Sequence, residues 1–283
     1  MKILITGTNG FIGRNLKEYF ADRYDIYCPQ RGELNLLEPA AVSSYLSGHK
    51  FDVVIHCAVT TTSVEQNLKM YFNIEKHSAS FGKMLCIGSG AEYDMNNYVP
   101  KMKEEYFGKY IPGDIYGFSK YVIAKDIESR PRNIFNLRLF GIYGKYENYQ
   151  RRFISNNICR ALCKLDLSVN QNMFFDYLYI NDFSQIVDMF IHRDSQRHSY
   201  NICTGKPIDL LTLAQIIRII DGRGLPITLK EEGSKKEYTG DNTLFLQEYG
   251  DFDFTPPEEA IEELYRWYKE PGNIILNVKD LIQ

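Results

Sequence analysis

At 283 residues, with 44% hydrophobic and 14% aromatic content, the chain can bury one large core or two smaller ones that share an interface. A net charge of -3 supplies no broad cationic field, which argues against binding to a nucleic-acid backbone or an anionic membrane. Six dispersed cysteines, with no C-x-x-C pair and no cysteine–histidine grouping at metal-ligand spacing, fit free thiols in a reducing compartment and predict no metal site. The opening MKILITGTNG is too short and too glycine-rich for a signal-peptide core. No run reaches the length of a membrane span, so a cytoplasmic protein is expected.

Short β-branched runs alternate with longer amphipathic stretches through the first half. KILIT (2–6), DIYC (25–28), DVVIHCA (52–58), KMLCIGS (83–89) and NIFNLRLF (133–140) read as strands, nearly all apolar as strands buried on both faces should be. Between them, 11–23, 39–48, 65–82 and 117–129 read as helices. This rhythm predicts an α/β fold with a doubly wound parallel sheet, a Rossmann sheet. After about residue 145 the pattern mixes: a helix near 151–164, an extended 168–180, helices near 181–193 and 210–221, a strand at 226–230 and a helix at 256–270. The expected division is a dinucleotide-binding domain over 1–148, with segments near 178–202 returning to the sheet. Residues 149–177 and 203–283 then form a smaller mixed α/β substrate-binding cap.

Directly after the first strand, TGTNGFIG places Gly7, Gly10 and Gly13 at three-residue intervals and opens into a helix. Glycines there allow a tight turn, close approach of backbone to a pyrophosphate and close helix–strand packing, while the helix amino terminus supplies donors. The second strand decides which dinucleotide fits, because an acid at its end bonds the adenosine ribose and repels a 2′-phosphate. Here the sequence runs Cys28, Pro29, Gln30, Arg31, with no acid at that end. Arg31 either faces the ribose and favours NADPH or is a solvated surface charge.

Residues 116–120 read YGFSK. If a helix begins there, Tyr116 and Lys120 lie one turn apart on one face and can converge on a ligand. A free tyrosine ionises near pH 10, roughly three units above neutrality, so a neighbouring ammonium is needed to stabilise developing phenolate. Ser89, at the end of KMLCIGS, supplies a third hydroxyl.

The glycine turn, the strand-end serine and the Tyr-x-x-x-Lys pair together resemble the extended branch of the short-chain dehydrogenase/reductases, the epimerase/dehydratase group acting on nucleotide sugars. HCAVTTTSVEQN resembles that family's segment after its fourth strand, RLFGIYG (138–144) its sixth-strand exit, and FDYLYINDF (175–183) part of its cap. The resemblance implies that Tyr116 is the acid/base, Lys120 its partner and Ser89 the hydroxyl relay. It implies cofactor contacts from Gly7, Asn9, Gly10, Phe11, Ile12, Gly13, Arg31, Asn35, Leu36, Cys57, Ala58 and Val59, as well as Tyr116 and Lys120. Substrate contacts are implied at Gly90, Ala91, Glu92, Arg151, Arg152 and Asn242, and a homodimer through a four-helix bundle of the helices at 65–82 and 117–129.

Members that eliminate water carry an Asp-Glu pair just after the strand-end hydroxyl, because elimination needs a further acid and base. Members that epimerise before reducing place a cysteine at the position of Ala91. This chain has Gly90 and Ala91 there; Glu92 or His77 could supply another acid/base or be structural. With no acid at the second strand, NADP(H) is the expected cofactor, NAD(H) the alternative. The expected activity is reduction of a keto group, at C4, of a nucleotide-linked sugar in deoxysugar or surface-polysaccharide synthesis. The alternatives are a redox-neutral NAD-dependent 4-epimerase and a non-catalytic dinucleotide sensor. One departure stands out: the family's diphosphate-gripping arginine before the cap aspartate is Phe175 here, which leaves Arg151, Arg152 or Arg160 to hold phosphates or to form a solvated face.

Overall fold

The first half of the chain follows the expected order: β1 (Lys2–Thr6), α1 (Phe11–Phe20), β2 (Asp25–Tyr27), α2 (Pro39–Gly48), β3 (Phe51–His56), α3 (Val64–Glu75), β4 (Phe81–Ser89), α4 (Ile115–Ser129) and β5 (Ile134–Leu139). The second half adds β6 (Gly141–Tyr143), α5 (Phe153–Leu162), β7 (Leu167–Asn172), β8 (Phe174–Phe175), β9 (Tyr177–Tyr179), α6 (Ile180–His192) and β10 (Ser199–Ile202). It closes with β11 (Ile208–Asp209), α7 (Leu210–Asp221), β12 (Ile227–Ser234), α8 (Thr243–Tyr249), α9 (Pro257–Lys269) and α10 (Lys279–Ile282). This is a computed structural model, and it describes residues 1–282.

Six strands make one parallel sheet in the order β10-β5-β4-β3-β1-β2. Its side chains alternate between two cores, as the period of two demands. Ile3, Ile5, Val53, Ile55, Leu85 and Ile87 face a core shared with α1, α5 and α6. Leu4, Val54, Met84 and Cys86 face the other, beneath α2, α3 and α4. The strand order reverses between β1 and β3, whose carboxyl ends lie level at Thr6 and His56. Such a switch point opens a crevice for a ligand.

Several boundaries differ from the sequence reading. The helix expected over 65–82 stops at Glu75; a 3-10 turn at Ser78–Ser80 follows, and β4 starts two residues early at Phe81. The Ser80 N–H closes that turn on the His77 carbonyl at 2.8 Å, and Phe81 is buried as a strand residue of the second core. Helix α4 starts earlier than expected because the Asp114 carboxylate caps it, accepting the Gly117 N–H at 2.8 Å. The extended stretch 168–180 breaks into β7, β8 and β9 before α6 begins at Ile180. The HCAVTTTSVEQN segment follows the third strand of this chain, because residues 28–38 form turns where a further strand could have been. Helix α8, short enough to lack a readable period, buries Phe245 and Tyr249. No helix among the described residues is long and apolar enough to cross a membrane.

Candidate active site

A cleft of about 1280 Å³ runs along the carboxyl ends of β1, β3, β4 and β5 and under the second-half segments. At one end stands the glycine turn. Gly7 has φ +71°, and a Cβ on it would lie 2.6 Å from the Ala58 nitrogen; one on Gly13 would lie 2.4 Å from the Gly7 carbonyl oxygen. Glycine at both places lets the β1 exit, the first turn of α1 and the β3 exit close on one another. Gly10 is the N-cap of α1 and no side chain caps that helix, nor does its first turn carry an acid. Its first N–H groups and dipole are therefore free for an anion. These residues fit a dinucleotide pyrophosphate.

At the β2 exit the Asn9 amide donates to Gln30 Oε1 at 2.6 Å, tying the glycine turn to the loop that carries Arg31. Glu33, the nearest acid in sequence, accepts the Gln30 N–H at 2.7 Å and does not line the cleft, whereas Arg31 does. Asn35 turns its carbonyl onto the Leu37 N–H at 3.2 Å, and the Asn73 amide holds the Leu36 carbonyl at 2.9 Å. Cys57, Ala58 and Val59 complete this wall. Burial pushes the Cys57 thiol up to about 12, so it is an unreactive filler.

Midway along, α4 carries Tyr116 and Lys120 on one face. The Lys120 ammonium lies 6.0 Å from the centre of the Tyr116 ring and donates to the Ile87 carbonyl at 2.5 Å. That bond anchors the ammonium to β4, one strand turn from Ser89. Behind the pair, Ser119 donates to the Tyr116 carbonyl at 2.8 Å and accepts from Asn67 at 2.8 Å. Asn67 in turn holds both backbone groups of Thr60, at 2.7 and 2.8 Å. These two residues tie α3, α4 and the β3 exit together. Neither is legible beforehand, because a polar residue on a helix face looks solvated until its partners are known. Burial and the nearby Lys120 charge push His56 down to about 3, so its ring is neutral and shares a 3.0 Å hydrogen bond with Thr6.

Three residues expected at the substrate do not line the cleft. Glu92 is 1% exposed and pairs with fully buried Arg138, while its other contacts are the Ser89 N–H at 2.9 Å and the Asn136 amide at 2.8 Å. It braces Ser89 from behind. The Asn242 amide donates inward to the Cys203 carbonyl at 2.9 Å. Gly90 is buried beneath Tyr238 and Phe140. His77 is likewise not among the lining residues. Ala91, Arg151 and Arg152 do line the cleft, joined by Lys230 and Lys235. Arg160, which also lines it, spends its guanidinium on the Asp166 and Leu281 carbonyls. Phe175 faces the cleft, but its neighbour Asp176 is buried and accepts from Thr204 and Gly205 at 2.7–2.8 Å.

Glu147, which sequence reasoning passed over, is a buried carboxyl on the cleft wall. Burial pushes it up to about 8, although the Ser155 hydroxyl donates to it at 2.6 Å and Arg152 acts in the opposite sense. The unfolded chain releases this proton near the ordinary 4.5 and the folded chain near 8. Between those values the unfolded state binds fewer protons, so stability falls as pH rises through that window. Glu147→Gln should remove on the order of 3 kcal/mol of that decline between pH 5 and 8, read from urea unfolding at both pH values. Parallel pH profiles for variant and wild type would show that the carboxyl is not held neutral.

The model of the NAD dependent epimerase/dehydratase family matches residues 3–203. Over 94% of its length the chain is 24% identical to GDP-6-deoxy-D-talose 4-dehydrogenase of Aggregatibacter actinomycetemcomitans, 97% of which is covered. A GDP-L-fucose synthetase from Naegleria fowleri superposes with a TM-score of 0.82 at 17% identity, over 95% of this chain and 93% of that one. GDP-mannoheptose C4 reductase from Campylobacter jejuni, with NADP bound, gives a TM-score of 0.80 at 20% identity, over 95% and 98%. At these identities the two structures establish the shared fold alone. The family match spans most of the chain and takes in the glycine turn, Ser89, Tyr116 and Lys120: the protein belongs to the NAD dependent epimerase/dehydratase family.

Proposed function

We propose that the protein is an NADPH-dependent reductase of a keto group, at C4, of a nucleotide-linked sugar. The observation that carries this reading is that no carboxylate faces the cleft beside Ser89, where the titratable groups next to the Lys120 ammonium are the phenols of Tyr116 and Tyr238. Tyr116 stands with Lys120 beside it, Gly90 and Ala91 have nothing to ionise, and Glu92 is tied into a buried ion pair. Elimination of water requires a further acid and base at that place. Carbonyl reduction requires one proton donor.

A reduced nicotinamide dinucleotide, its pyrophosphate held by the glycine turn, would supply the hydride. The Tyr116 phenol gives its proton to the carbonyl oxygen. Lys120, fixed by the Ile87 carbonyl, stabilises the phenolate left behind, and Ser89 holds the oxygen through its hydroxyl. The Ser89 Oγ accepts the Ala91 N–H at 3.1 Å and lines the cleft, so its hydroxyl keeps a proton to donate. Two relatives, a GDP-sugar 4-dehydrogenase and a GDP-sugar C4 reductase with NADP bound, support a GDP-linked sugar and this cofactor. Arg151, Arg152, Lys230 and Lys235 are the cations available to a diphosphate where Phe175 replaces the arginine.

The deciding measurement is to release and identify any nucleotide the purified protein retains, then compare NADPH with NADH on the emptied protein. NADPH should bind preferentially, its absorbance should fall with a GDP-linked 4-keto-6-deoxyhexose, and Arg31→Ala should cut the preference about tenfold, the loss of one charge-assisted phosphate contact. Firmly retained NAD with product formed and no net oxidation would establish the 4-epimerase instead.

A further inference from the structure

Tyr238, which covers Gly90, carries no role in the hydride and proton transfers at Tyr116. It lies in the connection between β12 and α8, far from the catalytic trio in sequence, yet it lines the same cleft as Ser89, Ala91, Tyr116 and Phe140. Ser89, Tyr116 and Tyr238 thus share one stretch of cleft wall. A Cβ on Gly90 would come within 2.6 Å of the Tyr238 hydroxyl, so the phenol occupies the space that the missing side chain at position 90 leaves open.

The ring is held on every side. Tyr98, Phe140 and Phe175 surround it at centroid distances of 5.0, 5.6 and 5.9 Å. Its backbone N–H donates to the Phe174 carbonyl at 2.9 Å. The next residue, Thr239, is fully buried: its carbonyl accepts from Tyr98 and from the Met102 N–H, at 2.9 and 3.0 Å, and its hydroxyl oxygen from the Lys101 N–H at 2.8 Å. A phenol needed only for packing requires no such placement beside two catalytic hydroxyls, and a phenylalanine would fill the same volume. A rigid side chain whose polar tip meets a reaction centre is the arrangement that fixes a substrate against its catalyst.

We propose that Tyr238 is a substrate-positioning residue: its hydroxyl hydrogen-bonds the sugar beside the carbon that reacts, completing with Ser89 and Tyr116 a cluster of three hydroxyls. Phe175 gives the ring an apolar wall in the place where the family has an arginine, so this part of the cleft offers a diphosphate no cation and leaves the phosphates to the other lining cations. The inference rests on the nucleotide-sugar reading of the cleft, and binding rather than turnover tests it.

The probes are GDP and a GDP-linked 6-deoxyhexose, titrated calorimetrically into the NADP-saturated protein and into its Tyr238→Phe variant. In the wild type the sugar conjugate should bind more tightly than GDP. In the variant that advantage should shrink five- to twentyfold, with GDP and NADPH affinities unchanged. Gly90→Ala, whose added methyl meets the Tyr238 hydroxyl at 2.6 Å and the Phe140 ring at 2.8 Å, should lower the advantage at least as far. Equal affinities of wild type and Tyr238→Phe for the conjugate would overturn the assignment, as would a wild type that binds GDP and its conjugate alike. Failure of either probe to bind at all would overturn the nucleotide-sugar reading, and this inference with it. A turnover assay then separates positioning from acid/base chemistry: loss in kcat/KM with an unchanged pH profile is expected of Tyr238→Phe.

Discussion

Tyr116→Phe should lower kcat for the reduction of a nucleotide-linked keto sugar by a factor of about 10² to 10⁴, the range that a positioned general acid supplies. The substitution removes one hydroxyl from a half-buried ring and leaves the carbon skeleton where it was. Lys120 keeps its bond to the Ile87 carbonyl, and the helix keeps its Asp114 cap and its Ser119–Asn67 brace. NADPH affinity should therefore stay within about twofold, since no group that binds the dinucleotide phosphates is lost. Single-turnover mixing of the NADPH-loaded variant with keto sugar separates the two quantities, and a variant that reduces at the wild-type rate ends the assignment of Tyr116 as proton donor. In cells the same variant distinguishes an enzyme from a sensor: a phenotype unchanged by loss of the hydroxyl belongs to a protein that binds and does not catalyse.

How much of this was legible beforehand follows from the range over which each contact acts. The glycine turn, the strand-end Ser89 and the one-turn spacing of Tyr116 and Lys120 are local patterns, set by the strand-to-helix turn and the 3.6-residue period, and the structure brings all of them to one cleft. The alternation of Ile3 and Ile5 against Leu4 likewise encodes two covered faces. What could not be read were contacts between residues distant in the chain. Tyr238 covers Gly90, Asn67 reaches Ser119, and Arg138 reaches Glu92, and none of these long-range pairings carries a local signature. Glu92 shows the hazard most plainly. Three residues past Ser89 in a turn it reads as a group facing the substrate, but the capping box it forms with Ser89 and the buried arginine on the neighbouring strand turn it inward.

That inward turn leads to the prediction with the largest effect on stability. Arg138 is fully buried; it donates from Nε to Glu92 and from a terminal nitrogen to Glu128 on α4 at 2.7 Å, with its guanidinium 4.3 Å from the centre of the Phe107 ring. It thereby joins the turn that carries Ser89 to the helix that carries Tyr116. Arg138→Met leaves the Glu92 charge buried with only an amide and a backbone N–H to oppose it, a loss of about 3–5 kcal/mol. Ser89 should lose its fixed place as the turn relaxes. Adding Glu92→Gln to Arg138→Met removes the orphaned charge while keeping an acceptor for the Ser89 N–H, and Glu128, a third exposed, can turn to water. The double variant should recover more than half of the lost stability. Guanidinium unfolding of the three proteins measures this directly. If Glu92 were instead an acid/base facing the sugar, Glu92→Gln alone would abolish turnover and leave the unfolding midpoint in place; a brace predicts the reverse, a lower midpoint and activity that survives wherever the turn stays folded.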